Sequence, residues 1–229
     1  IGSKALFSNT YGATNTATGF ESLYSNIDGK QNTAYGTYAL YSSIDAYANT
    51  ATGSYALYSN THGSQNTAIG DAALNRNTTG DYNTATGQQS LLSNTEGNRN
   101  TANGRQSLKA NTIGNDNTAS GYFSLGFNET GSKNTATGYN ALYSNTSGYN
   151  NTANGSGTLF LNTTGYSNVA VGTNALTKNT DRSNLVAIGD SALYNNGIGA
   201  PASLDAIQNT AIGSKALFSN TYGATNTAT

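Results

Sequence analysis

Glycine recurs at Gly2, Gly19, Gly36, Gly53, Gly70, Gly87, Gly104, Gly121, Gly138, Gly155, Gly172 and Gly189, always 17 residues apart. A period this strict makes each interval one structural unit and limits the fold to a stack of near-identical coils, each in contact with its neighbours. Four residues after each glycine stands a leucine: Leu6, Leu23, Leu40, Leu57, Leu74, Leu91, Leu108, Leu125, Leu142, Leu159, Leu176 and Leu193. From Gly19 onward an alanine lies two residues before each glycine, as at Ala17, Ala34 and Ala51, usually after Asn-Thr. The leucine, alanine and glycine columns are the expected structural core.

A longer period sits above the short one. Residues 1–18 are identical to residues 212–229, which defines a 211-residue unit of eleven intervals of 17 and one of 24. The sequence therefore reads as a window on a longer tandem array, with residues 1–229 forming one continuous repeat domain. Residues 195–208 form a longer loop in the twelfth coil, and Ile198, Pro201 and Leu204 are its candidate exposed contacts.

Seventeen residues are too few for a helix pair or a leucine-rich repeat. Gly, Asn and Thr at fixed places oppose helix, and no apolar recurrence at i, i+3, i+4, i+7 is present. Two strands of about five residues joined by two tight turns account for the length. The expected fold is all-β, a parallel β-solenoid or β-roll of 17-residue coils, twelve per 211-residue unit. The glycine ten residues into most coils (Gly12, Gly29, Gly63, Gly80 and their successors) is expected at a turn position of positive φ, a column broken by Ala46 and Arg182. The Asn-Thr segments are expected to bond local backbone and to stack their amides from coil to coil.

Leu, Ile, Val and Phe total 35 of 229 residues, below the content of an ordinary globular core. Disorder would also need a high net charge, and here 10 basic against 11 acidic residues leave −1. One buried Leu contributes about 2 to 3 kcal/mol, whereas ordering a whole coil costs on the order of 20 kcal/mol, so apolar burial within one chain does not suffice. A second apolar column follows the leucines: Phe7, Tyr24, Tyr41, Tyr58, Tyr143, Phe160 and Tyr194. In a strand these side chains would point away from the Leu face, as candidate contacts between parallel chains. Asn75, Leu92, Lys109 and Gly126 interrupt the column in consecutive coils.

Other chemistry finds little support. No apolar run is long enough to span a membrane, and no Lys/Arg cluster offers a nucleic-acid footprint. With no Cys, neither a disulfide scaffold nor a zinc finger is possible. His62, the only histidine, is read as a solvated turn residue. Asp28, Asp45, Asp71, Asp81, Asp116, Asp181, Asp190 and Asp205 are scattered, unlike the regular acidic spacing of calcium-binding β-rolls. No nucleophile motif or P-loop occurs, so neither an enzyme activity nor a cofactor is expected. The Asn-x-Ser/Thr sites at Asn77, Asn128, Asn145 and Asn162 are read as turn residues rather than glycan acceptors.

The segment Asn184-Leu185-Val186-Ala187-Ile188-Gly189, with Asn168-Val169-Ala170-Val171-Gly172 close to it, resembles the repeat of the YadA-type heads of trimeric autotransporter adhesins. The wider pattern is similar to repeats of giant bacterial surface filaments and adhesins. The resemblance covers all twelve coils, with a longer coil and Thr in place of the Val before most alanines. It implies a left-handed parallel β-roll, a parallel homo-oligomer of three or more chains, an extracellular or cell-surface location and attachment to another cell or surface. The alternative is a solenoid that binds ice through Thr pairs such as Thr16/Thr18, Thr50/Thr52, Thr84/Thr86 and Thr135/Thr137, or glycan through its Tyr ladder.

Overall fold

The computed structural model describes residues 1–200 and 205–229. The chain divides into two compact units, residues 1–116 and 117–229. Both are parallel β-solenoids, and no helix is present among the described residues.

The first unit contains β1 (Thr16–Thr18), β2 (Thr33–Tyr35), β3 (Thr50–Thr52), β4 (Thr67–Ile69), β5 (Thr84–Thr86) and β6 (Thr101–Asn103). The second contains β7 (Thr118–Ser120), β8 (Thr135–Thr137), β9 (Thr152–Asn154), β10 (Val169–Val171), β11 (Val186–Ile188), β12 (Thr210–Ile212) and β13 (Thr227–Ala228). Within each unit every strand pairs in parallel with its successor and Ala lies on Ala, as in Ala34↔Ala51 and Ala170↔Ala187. The alanine faces inward and its two neighbours face outward, the alternation expected of a strand with one buried face.

The leucines from Leu23 to Leu193 are fully buried, as the sequence predicts. The backbone that carries them is not the second strand expected above. Every leucine of this column has φ between 48° and 53°, and the residue two before it is also left-handed, as at Tyr38 (58°) and Tyr55 (56°). The residues between them have ordinary negative φ. This alternation keeps N–H and C=O groups directed at neighbouring coils, so Leu40 N–H still donates to Ala56 O (3.0 Å) and Ser42 N–H to Tyr58 O (3.0 Å). A left-handed conformation costs on the order of 1 kcal/mol or more for a residue with a Cβ. Bonds to both neighbouring coils and burial of the leucine offset that cost.

The turn glycines also differ from expectation. Gly12, Gly29, Gly63 and Gly80 do not have positive φ. They are required for space: a Cβ at Gly80 would lie 2.5 Å from Asn77 Oδ1 and 2.5 Å from Gly97 O. Positive φ belongs to the register glycines, as at Gly70 (134°), where a Cβ would also meet Gly87 O at 2.7 Å.

Two columns of buried asparagine complete the core. In one, Asn77 Nδ2 donates to Asn60 Oδ1 of the preceding coil (2.7 Å) and to Gly80 O of its own turn (2.9 Å). In the other, Asn66 N–H donates to Asn49 Oδ1 (2.9 Å) while Asn66 Nδ2 reaches Gly80 O (2.8 Å). The expected coil-to-coil amide stacking is therefore present, in a fully buried setting.

At the third coil Ser43 takes the asparagine place and Ala46 the glycine place. A Cβ at Gly29, Gly63 or Gly80 would meet the asparagine oxygen, and in this coil the shorter Ser43 stands beside Ala46, whereas Asn179 keeps its place beside Arg182. The gap leaves Asn26 Oδ1 and Ser43 Oγ buried without partners. Ser43→Asn alone is expected to destabilise the fold by about 2 kcal/mol, whereas Ser43→Asn with Ala46→Gly stabilises it by about 1 to 2 kcal/mol by closing the ladder. Urea unfolding of the two single variants and the double variant measures this coupling.

Candidate interaction surface

The aromatic column lies on the outside, as expected, although on the left-handed segment rather than on a strand. Phe7, Tyr24, Tyr41 and Tyr58 form one continuous stack, with successive centroids 5.1, 5.2 and 5.2 Å apart and interplanar angles of 4°, 11° and 12°. Ring spacing follows the coil repeat, so the ring faces are turned to one another. Tyr24, Tyr41 and Tyr58 are half-buried, and Phe7 in the first coil is 64% exposed.

The stack is wider than its column. Tyr38 packs edge-on against Tyr41 (5.6 Å) and tilted against Tyr55 (5.1 Å), and Phe20 meets Tyr38 edge-on at 5.4 Å. Together they make a seven-ring patch in the first unit. The sequence reading missed these flanking rings; their signal was the Phe and Tyr one or two residues after the register glycines. Burial pushes the Tyr38 and Tyr41 hydroxyls above the ordinary tyrosine value, and the Glu21 carboxylate adds to both shifts.

The second unit carries a smaller patch. Tyr143 stacks on Phe160 (4.9 Å, 2°) and receives Phe127 (4.9 Å) and Phe123 (5.7 Å) edge-on, while Tyr122 stacks on Tyr139 at 5.6 Å. Tyr194 stacks on Phe218 (5.2 Å), with Lys178 Nζ 5.3 Å from the Tyr194 centroid. In the coils where the column carries Asn75, Leu92 and Lys109, polar contacts take over the flank: Gln106 Nε2 donates to Gln89 Oε1 (2.8 Å) and Arg105 Nε to Gln88 Oε1 (3.1 Å).

The other predicted positions fall as follows. Thr16/Thr18, Thr50/Thr52 and Thr84/Thr86 flank the inward alanines on the sheet face, but Tyr35, Ile69 and Asn103 occupy the second position on the intervening strands. Matched Thr pairs thus stand on alternate strands of the first unit, and Thr135/Thr137 flank the inward alanine of β8 in the second. Within the stack the faces of Tyr24 and Tyr41 are turned to neighbouring rings. Asn77, Asn128, Asn145 and Asn162 are fully buried members of the amide ladder. His62 is exposed, with Nδ1 2.5 Å from Asp45 Oδ1. Among the described residues no three acidic or histidine side chains converge as metal ligands. Ile198 is exposed, its N–H donating to Asn195 O at 3.3 Å, while Pro201 and Leu204 lie outside the described residues.

No protein-family model, characterised sequence or solved structure matches this chain.

Because the folded state raises the Tyr38 and Tyr41 pKa values above 10.0, it holds their protons more tightly than the unfolded chain. Their contribution is complete below pH 10 and is lost as pH rises through the folded values. Glu21→Gln is expected to bring phenol ionisation, read at 295 nm, to lower pH. An unchanged titration would mean that the carboxylate does not act on the stack.

Proposed function

We propose that this chain is a load-bearing, self-associating segment of an extracellular bacterial surface filament, in which parallel copies pack through their aromatic patches and the fibre holds another cell or surface. The reading is supported above all by the uninterrupted stack Phe7, Tyr24, Tyr41, Tyr58. It is an apolar strip whose repeat equals the coil rise. A second copy has the same repeat, so each coil can make the same contact with its counterpart, whereas a partner without that period matches it only locally. The thin apolar core supports the same reading, since packing between chains removes further aromatic surface from water. The likeness of the repeat to adhesin heads supports a location outside the cell. Many weak contacts along one line resist peeling together, and repeated surface contacts gain avidity where geometry allows simultaneous engagement.

Sedimentation velocity tests this directly. The chain is expected to associate with increasing concentration, and Tyr24→Ser/Tyr41→Ser/Tyr58→Ser to abolish association while keeping the far-UV spectrum. A folded, monodisperse monomer at the highest attainable concentration would overturn the proposal.

A further inference from the structure

The contact between the coil that opens at Gly172 and the coil that opens at Gly189 departs from the regular pattern in three columns at once. The column Asn15, Asn32, Asn49 and onward to Asn226 carries asparagine in every coil except one, where Leu185 stands fully buried. The Leu185 N–H still donates to Asn168 Oδ1 (3.1 Å). Its side chain has neither an oxygen for the Asn209 N–H nor an amide for the next turn carbonyl, the two links that Asn49 makes through Asn66 N–H (2.9 Å) and Gly63 O (2.9 Å).

In the second asparagine column Asn179 Oδ1 is buried and accepts no bond. Asn196 Nδ2, which in a regular coil would donate both to it and to its own turn carbonyl, keeps only the turn bond, to Ala206 O at 2.8 Å. In the turn column Arg182 replaces glycine. Its Nη2 donates to Ala200 O (2.7 Å), while its Nε is buried without a partner. The gap at Ser43 changes the asparagine and turn columns and also leaves two buried polar atoms unpaired; here two buried polar atoms are again unpaired and a third column changes with the other two.

We propose that this contact is a built-in yield point, the place where the coil stack first parts under heat, denaturant or pulling. Amide ladders are directional, and neighbouring rungs have to break together. The apolar contact of Leu185 has no preferred direction, and unpaired buried atoms weaken the coils they sit in. In the tandem array implied by the identical segments 1–18 and 212–229, such a point recurs once per 211 residues. Intact blocks of coils between yield points would lengthen the fibre stepwise instead of letting it unravel from one end. The inference does not depend on what the outer faces bind.

Hydrogen exchange followed by mass spectrometry on the whole chain tests it. Amides of residues 176–191 are expected to exchange about tenfold faster than those of residues 74–89, the equivalent positions in a coil whose two asparagine ladders are continuous. Leu185→Asn is expected to remove most of that difference. The reciprocal Asn83→Leu is expected to speed exchange at residues 74–89. Equal or slower exchange at residues 176–191 in the unaltered chain would overturn the proposal. So would a Leu185→Asn variant whose native exchange pattern is unchanged.

Discussion

The buried amide ladder is the interaction on which the other features of the coil depend. Each asparagine side chain bonds a neighbouring coil and a turn carbonyl, so backbone stacking and side-chain stacking share one spacing. A buried amide left unpaired costs more than a formed bond contributes, so such a column is stable only when it is nearly continuous. The turn glycines follow from this requirement. The space a Cβ would need is already filled by the asparagine oxygen and the next carbonyl; Ala46 comes with the shorter Ser43, and where Arg182 stands beside a retained Asn179 the Asn179 oxygen is left unpaired.

The same stacking overrides local preference in the backbone. Leucine has no intrinsic tendency toward positive φ, yet it adopts it in coil after coil. Alternating the sign of φ satisfies the N–H and C=O groups between coils over a short span, and burial of the leucine completes the compensation. The expectation of a second strand therefore identified the right inward residue and the wrong conformation. A column of leucines specifies which side chain goes inside and is silent about how the chain carries it there.

That difference decides the shape of the candidate surface. A straight strand would send the residue after the leucine outward and place the residue three positions before it on the opposite face. With left-handed residues between them, both come to the same side. Tyr38 accordingly meets Tyr41, and Tyr55 meets Tyr58, turning a single file of rings into a patch. Phe7, Tyr24, Tyr41 and Tyr58 were legible from spacing alone, whereas Phe20, Tyr38 and Tyr55 became part of the surface only through this backbone path.

The 17-residue period, the inward Leu and Ala, the outward aromatic column and the parallel stacking follow from the sequence by itself, because a strict repeat places equivalent residues in equivalent environments. Only the tertiary structure decided that the asparagines form a fully buried core, that the turn glycines are needed for space and not for φ, and that flanking rings widen the stack. It also showed that Arg182 reaches Ala200 O and that Leu185 keeps only its bond to the preceding coil's asparagine. Each of these depends on which atoms of one coil lie over which atoms of the next, and a period specifies the neighbours without specifying the geometry of their contact.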